Sequence, residues 1–115
     1  MTDSCLFCSI VARDIPADIV YETDAVIAFR DIGPQAPVHI LVIPKRHIPS
    51  LAQAAVEDAE LMGEVLLAVR EVAEREGLAE VGFRTVLNTG DDGGQTVHHL
   101  HAHVLGGRGL GWPPG

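Results

Sequence analysis

Four of the six histidines in this 115-residue chain fall within residues 98–103. The apolar residues between and after them predict a β-strand from His99 to Leu105. Because side chains on a strand alternate between its two faces, we expect His99, His101 and His103 to share one face. His98 has the opposite parity, toward the core, and should not belong to the same cluster. A neutral imidazole is a nucleophile and a general base, and a protonated one binds phosphate oxygens.

Three imidazoles on one face fit more than one chemistry. One of them can attack a phosphorus atom while its neighbours bind the anion, or all three can ligate a metal ion. A purely structural role is disfavoured, because burying three histidines leaves many polar atoms to be satisfied. The preceding loop favours the phosphate chemistry, since Gly93 and Gly94 let backbone N–H groups approach an anion closely, and Gln95 and Thr96 add side-chain donors.

The remaining patterns predict an α+β protein. Hydrophobic periodicity and turn residues predict a short helix over Ser4–Arg13 with Ser4 as its N-cap, and a long helix from about Val56 to Glu76. The predicted strands cover Asp18–Glu22, Ala25–Phe29, Val38–Ile43, Phe83–Asn88 and His99–Leu105. Short links between several strands favour an antiparallel sheet of roughly five strands, with the long helix packed on it. The length predicts a single domain, 1–115.

Composition excludes several classes of protein. With 47% hydrophobic and 21% charged residues, the chain resembles an ordinary globular protein. Its net charge of −8 repels a phosphate backbone, so we expect no nucleic-acid partner. No apolar run approaches the ~20 residues of a membrane span, and the first four residues lack the basic start of a secretory signal. We therefore expect a cytoplasmic protein without a membrane partner.

Three segments carry a family resemblance. The alternating segment His99-Leu100-His101-Ala102-His103-Val104-Leu105 resembles the motif of the histidine triad (HIT) family. Residues 29–45 resemble the nucleotide-binding strands of that family. The ending, from Gly106-Gly107-Arg108 to Trp112-Pro113-Pro114-Gly115, resembles the HINT branch, the purine nucleoside phosphoramidases. The resemblance covers nearly the whole chain and implies a HIT-like fold.

The resemblance also implies catalytic roles. His101 would attack the α-phosphate and form a nucleotidyl-histidine intermediate that water hydrolyses. His103 would contact the phosphate, while His99 and His39 would orient the cluster. The expected reaction cleaves the P–N bond of a nucleoside 5′-phosphoramidate. It needs no catalytic metal, because histidines and backbone donors can hold the developing charge.

The ligand contacts implied by the resemblance lie in four parts of the chain. Phe29 and Ile32 would surround the purine, and Asp31 would bind the ribose hydroxyls. The loop before the last strand would hold the phosphate and the leaving group through Asn88, Gly94, Gln95 and Thr96. Trp112 would reach from the C-terminal tail toward the partner's site in a homodimer.

Two other functions stay open at this point. One is hydrolysis of dinucleoside polyphosphates, since the string Gln95-Thr96-Val97 also occurs in that HIT branch. The other is a nucleotide-binding interaction module with little turnover. The ending of the chain favours the phosphoramidase, and the intact set of three histidines disfavours a mere binder.

A second candidate site involves Cys5 and Cys8, which are too few for a disulfide scaffold. Their C-x-x-C spacing resembles that of many bacterial HIT proteins. His47 and His98 are the two histidines that have no role in the predicted catalytic site. Two thiolates and two imidazoles form a closed structural zinc site, so we expect Cys5, Cys8, His47 and His98 to bind Zn²⁺. The alternatives are two packed thiols with unrelated histidines, or a redox pair.

Overall fold

The computed structural model describes residues 5–115. Two α-helices are present, α1 and α2, and they cover Leu6–Val11 and Ala59–Arg75. Five strands, β1 to β5, cover Ile19–Glu22, Val26–Arg30, Val38–Pro44, Arg84–Val86 and Ala102–Gly106. Short 3₁₀ turns at Leu51–Gln53 and Val56–Asp58 lead into α2. The expected cap Ser4 lies outside the described residues, and Cys5 caps α1 by accepting a hydrogen bond from the Cys8 amide.

The five strands form one sheet in the order β1-β2-β3-β5-β4, in which every neighbouring pair is antiparallel. The predicted α+β class, with a five-stranded antiparallel sheet, one long helix and a short N-terminal helix, is therefore confirmed. The strand β3 lies at the centre, paired with β2 on one side and β5 on the other. It is paired on both edges, as β2 and β5 also are, and it is the longest of the five strands, with seven residues.

The two faces of the sheet bury different partners. Helix α2 packs on one face through an apolar stripe with helical spacing. That stripe is Val65, Ala68, Val69, Val72 and Ala73, and it meets Val26, Ala28, Ile40, Val42, Ala102 and Val104 of the sheet. On the opposite face, α1 contributes Phe7 and Ile10, which pack on Ile27, Phe29, Leu41 and Ile43. Strand alternation therefore places His39 and His103 on the α1 face, away from α2.

The last strand begins later than the sequence indicates. It starts at Ala102, so His99 and His101 precede it on irregular backbone. The strand starts late because the Leu100 amide donates to the carbonyl of Ile48 at 2.7 Å, instead of extending the hydrogen bonds between β5 and β3. The strand parity expected for His99 therefore does not apply.

Within residues 5–115, no helix combines the length and the apolar composition that crossing a bilayer requires.

Candidate active site and metal cluster

An open cavity of about 270 Å³ lies on the sheet face that carries α1. Its floor includes His101 and His103, and its rim includes Asp31 and Thr96. Arg30 also lines the cavity, and the other walls are apolar: Leu6, Phe7, Ile10, Ile15, Pro16, Ala17, Phe29, Ile32, Leu41 and Val97. A mostly apolar pocket with a few convergent polar groups is typical of a site for a small organic ligand.

A chain of hydrogen bonds fixes the protonation of His103. The Gln35 amide donates to Nδ1 of His39 at 3.0 Å, so neutral His39 carries its proton on Nε2. That Nε2–H donates to Nδ1 of His103 at 2.8 Å. Neutral His103 must then carry its own proton on Nε2, and it presents an N–H donor at the cavity floor. The Asp31 carboxylate lies 3.5 Å from Nε2 of His39 and adds negative charge beside these hydrogen bonds.

His101 is fixed in the opposite tautomer. Its Nδ1–H donates to the carbonyl oxygen of His99 at 2.7 Å, which leaves Nε2 as the nitrogen with a free lone pair. The ring centroids of His101 and His103 are 5.0 Å apart. The floor of the cavity thus combines one nucleophilic nitrogen and one donor, the pair that attack on a phosphate needs.

Burial keeps these histidines neutral. Burial lowers the pKa of His101, against the opposing effects of the His99 carbonyl and of Asp31. The pKa of His103 is lowered to about 4, mainly by burial and then by the imidazoles of His101 and His39, against the opposing effect of Asp31. A neutral imidazole retains the lone pair that nucleophilic attack requires, so the environment suits His101 to that role at neutral pH.

The three alternate histidines do not converge on one cavity, which corrects the expectation from strand parity. The His99 side chain is fully buried and turns toward the N-terminal cysteines instead of the cavity. Its Nε2–H donates to the Pro44 carbonyl at 2.8 Å, so Nδ1 carries the lone pair. Only the backbone carbonyl of His99 takes part in the site, as the acceptor that orients His101.

Four metal-ligating side chains come together at the start of α1. Nδ1 of His99 lies 3.4 Å from Sγ of Cys5, 3.6 Å from Sγ of Cys8 and 3.2 Å from Nδ1 of His47. Nδ1 of His47 lies 3.4 Å from Sγ of Cys8. We call these four residues the Cys2His2 cluster; their ligand atoms all lie within 4.8 Å of one another, so they could hold a metal ion.

The prediction that His98 is the fourth metal ligand is wrong. His98 is exposed, and His99 takes the place assigned to it, because both residues precede β5 and strand alternation does not govern their directions. The donor set of two thiols and two imidazoles with free Nδ1 atoms matches a closed tetrahedral zinc site. Burial, together with the hydrogen bond and the charge of neighbouring Cys5, raises the pKa of the Cys8 thiol to about 11, whereas reactive thiols have a lowered pKa.

In the loop before β5, several groups that were expected to contact a ligand form hydrogen bonds within the protein. Gln95 is buried: its Nε2 donates to the carbonyls of Pro49 and Val97, and its Oε1 accepts from the Gly90 amide. The Gly94 amide donates to the Asp91 carbonyl at 3.0 Å. The expected contacts of these two groups with a ligand are therefore replaced by contacts within the protein.

Asn88 also braces this loop, since its Nδ2 donates to the Gly93 carbonyl at 2.7 Å. Gly93 itself admits no side chain, because a Cβ atom there would lie 2.3 Å from the Thr89 carbonyl oxygen. Thr96 is the predicted loop residue that lines the cavity. The loop thus has one face tied to the protein and one face, at Thr96, open to a ligand.

The three residues expected around a nucleoside all line the cavity. Phe29 is buried in its wall, Ile32 is fully exposed at its mouth, and Asp31 lies between them in sequence. Asp31 keeps its carboxylate in place by accepting from the Gly33 amide at 2.8 Å. Trp112 does not line this cavity and is 84% exposed on the tail.

A model of the HIT domain matches residues 12–110. The chain belongs to the HIT family. It is 59% identical to an uncharacterized HIT-like protein of Synechococcus elongatus over the full length of both chains. It is 48% identical to the purine nucleoside phosphoramidase of Escherichia coli K12, with 96% of this chain and 93% of that protein covered.

Solved structures of HIT proteins share the fold. A HIT family hydrolase from Legionella pneumophila superposes with a TM-score of 0.96 at 48% identity, covering 97% of this chain and 100% of that one. A histidine triad protein from Clostridium difficile superposes with a TM-score of 0.92 at 41% identity, covering 95% of each chain. The chain is thus a HIT family hydrolase by both sequence and fold.

Sequence reasoning missed the contribution of α1 to the wall of the cavity. Leu6, Phe7 and Ile10 form one wall of the cavity, although the sequence showed them only as an apolar stripe. It also missed the Gln35 amide, which fixes the proton on His39. A backbone donor leaves no signal in the residue type, and a stripe does not reveal which of its residues face a ligand.

We predict that acid destabilises this HIT domain partly through His103. The pKa of His103 is about 4 in the folded state, against 6.5 for an ordinary histidine. As the pH falls, His103 therefore becomes protonated in the unfolded protein before it does so in the folded protein. The free energy of unfolding contributed by His103 is therefore complete above about pH 6.5 and is lost as the pH falls toward 4. Urea unfolding between pH 7 and pH 4.5, in the presence of a chelator, should show a flatter pH profile for His103→Asn than for the wild type.

The matched control for this measurement is His98→Asn, which removes an exposed imidazole from the segment just before β5. The His103 variant should flatten the profile more than this control does. Equal pH profiles in the wild type and His103→Asn would contradict the prediction.

Proposed function

We propose that this HIT hydrolase cleaves the P–N bond of purine nucleoside 5′-phosphoramidates. The observation that carries the proposal is the pair of opposite tautomers at the cavity floor, with a free Nε2 on His101 beside an Nε2–H on His103. A nucleophile next to an anion-binding donor is the minimal equipment for displacement at phosphorus.

The reaction proceeds in two displacements. Nε2 of His101 attacks the α-phosphorus, the P–N bond breaks, and the amine leaves after taking up a proton from solvent. His103 donates through Nε2–H to a non-bridging phosphate oxygen and stabilises the charge that develops there. Water then attacks the phosphorus of the nucleotidyl-histidine, the bond between phosphorus and Nε2 breaks, and the attacking water returns one proton to solvent. This step releases the nucleoside monophosphate and restores the His101 imidazole.

The cavity supports a purine nucleotide as the substrate. The apolar surfaces of Phe29 and Ile32 suit a flat heterocycle, and the Asp31 carboxylate accepts from ribose hydroxyls. Thr96 at the rim offers a hydroxyl to the phosphate or to the leaving group. The printed name of the E. coli relative, purine nucleoside phosphoramidase, also favours this substrate class.

We predict that His101→Ala lowers kcat for an AMP-lysine-type phosphoramidate by at least about 10³-fold, because the variant lacks the nucleophile. The measurement is steady-state release of AMP, with a diadenosine polyphosphate assayed in parallel. The matched control His98→Ala removes an exposed neighbouring histidine and should keep wild-type kcat.

The wild-type substrate preference separates the candidate functions. Cleavage of the phosphoramidate alone supports the proposal, whereas faster cleavage of the dinucleotide supports a dinucleoside polyphosphate hydrolase. AMP binding without turnover of either substrate supports an interaction module.

We also propose that the Cys2His2 cluster binds a structural Zn²⁺ ion. The ligands would be both thiolates and Nδ1 of His47 and His99, with the Pro44 carbonyl fixing the tautomer of His99 from the outer shell. A bound zinc ion would join α1 to the segment after β3 and to the segment before β5, and so would act as a cross-link. With four protein ligands, it would have no open position for catalytic chemistry.

We predict one Zn²⁺ ion per wild-type chain by metal analysis after dialysis. Cys8→Ser should weaken zinc binding by more than about 100-fold, because losing a ligand costs more than losing an outer-shell partner, which costs roughly 10–100-fold. His98→Ala should keep full zinc stoichiometry. Zinc loss in His98→Ala, or none bound to the wild type, would refute the assignment.

We further propose a homodimer that acts in the cytoplasm. The edge strand β4 and the nearby exposed side chains of Val81 and Phe83 offer a surface for a second copy. The exposed Trp112 fits a tail that completes the partner's cavity rather than its own. Free thiols at Cys5 and Cys8 suit a reducing compartment.

We predict a dimer by sedimentation equilibrium, for the wild type and for Trp112→Ala alike. The Trp112→Ala variant should raise KM for the phosphoramidate about 5–10-fold, the effect of losing ~1 kcal/mol of aromatic contact with the substrate. Trp112→Phe keeps an aromatic ring and should recover most of the affinity. A monomeric wild type, or an unchanged KM in Trp112→Ala, would argue against a shared site.

A further inference from the structure

Phe7 connects the Cys2His2 cluster to the cavity. It lies on α1 between Cys5 and Cys8, is 4% exposed, and forms part of the cavity wall. Its ring meets His101 edge to face, with centroids 5.1 Å apart and planes at 87°. The same ring contacts Phe29 at 5.5 Å, so the two main aromatic surfaces of the cavity touch each other.

His99 makes a second connection by a different route. Both of its ring nitrogens are engaged, Nε2 with the Pro44 carbonyl and Nδ1 with the cluster, so the ring cannot rotate independently of either. The carbonyl of this same residue accepts the hydrogen bond that orients His101. His99 thus joins the cluster, through its side chain, to the hydrogen bond that orients His101, through its carbonyl.

The backbone around His99 strengthens this route. The Leu100 amide, one residue after His99, donates to the carbonyl of Ile48, one residue after His47. The segments of His47 and His99 are thus tied together beside their ligand atoms, and the His99 segment continues into His101 at the cavity floor. The cluster and the cavity floor therefore share one short stretch of backbone.

We propose that Phe7 and His99 are positioning residues that couple occupancy of the Cys2His2 cluster to nucleotide affinity. The inference rests on the proposed function, because it requires that the cavity bind a nucleotide. A metal ion drawing the four ligands together fixes α1 and His99, and these in turn fix the wall and the floor of the cavity. Coupling between two sites is reciprocal, so a bound nucleotide must tighten metal binding by the same factor.

A simpler role for the cluster makes a different prediction. If the metal only stabilises the fold, it raises the free energy of unfolding without changing how tightly the folded protein binds a nucleotide. Reciprocal affinities distinguish the two roles, since a purely structural cross-link leaves them unchanged.

The test is a pair of titrations on the full chain. AMP affinity is measured by calorimetry for the Zn²⁺-loaded and the chelator-stripped protein, and Zn²⁺ affinity is measured by chelator competition with and without saturating AMP. We expect at least a ~5-fold tighter AMP affinity in the loaded protein, and an equal gain in Zn²⁺ affinity with AMP. Circular dichroism verifies that each form is folded.

Two variants identify the route. Phe7→Leu keeps every ligand and should retain one zinc ion per chain, but its coupling factor should fall toward 1. His98→Ala, outside both sites, should keep the wild-type factor. Equal AMP affinities in the loaded and stripped proteins, or an undiminished factor in Phe7→Leu, would overturn the proposal.

A measurement on the loaded protein alone covers the case in which the stripped chain unfolds. In the Co²⁺-substituted protein, AMP should shift the d–d absorption of the metal, and Phe7→Leu should reduce that shift. An unchanged Co²⁺ spectrum on AMP binding would overturn the inference but not the proposed function, whereas failure to bind AMP at all would overturn both.

Discussion

The hydrogen bond from His101 Nδ1–H to the carbonyl of His99 is the interaction on which the arrangement of the cavity floor depends. An imidazole has two nitrogens, and neutral histidine presents a lone pair on only one of them. By holding the proton on Nδ1, the carbonyl leaves the lone pair on Nε2 of a residue that lines the cavity, as the proposed nucleophile requires. The chain from Gln35 through His39 does the reverse for His103 and leaves it with a donor at the same floor.

The sheet supplies the rigidity that these two tautomers need. The β3 strand is paired on both edges, and all of its residues from His39 to Pro44 are buried. Leu41 lies opposite both Phe29 and His103 in register, so one cross-strand row carries the cavity wall and its floor. The same burial lowers the pKa of the histidines, which links nucleophilicity at neutral pH to sensitivity toward acid.

The small N-terminal helix does more than cover an apolar face. Helix α1 has only six residues and would not persist alone in water. It is held by Phe7 and Ile10 on the sheet and by the cluster at its first turn. The same short helix therefore forms part of both the Cys2His2 cluster and the cavity.

The sequence by itself determined the fold class and the strand and helix positions to within a few residues. Periodicity was enough for this, since α2 and β3 bury apolar side chains with the spacing that their geometry requires. Phe29, Asp31, Ile32, Thr96 and the His101–His103 pair all lie where a ligand site was expected.

Only the tertiary structure decided what His99 and His98 do. Parity predicts directions correctly on a regular strand, but these residues precede β5, where the Leu100 amide bonds to Ile48 instead of to a ladder partner. The direction of the His99 side chain is set by groups distant in sequence, the Pro44 carbonyl and the two cysteine thiols. The roles of Gln95, Gly94 and the Gln35 amide were hidden for the same reason, because a residue type does not reveal which partner its hydrogen bonds will find.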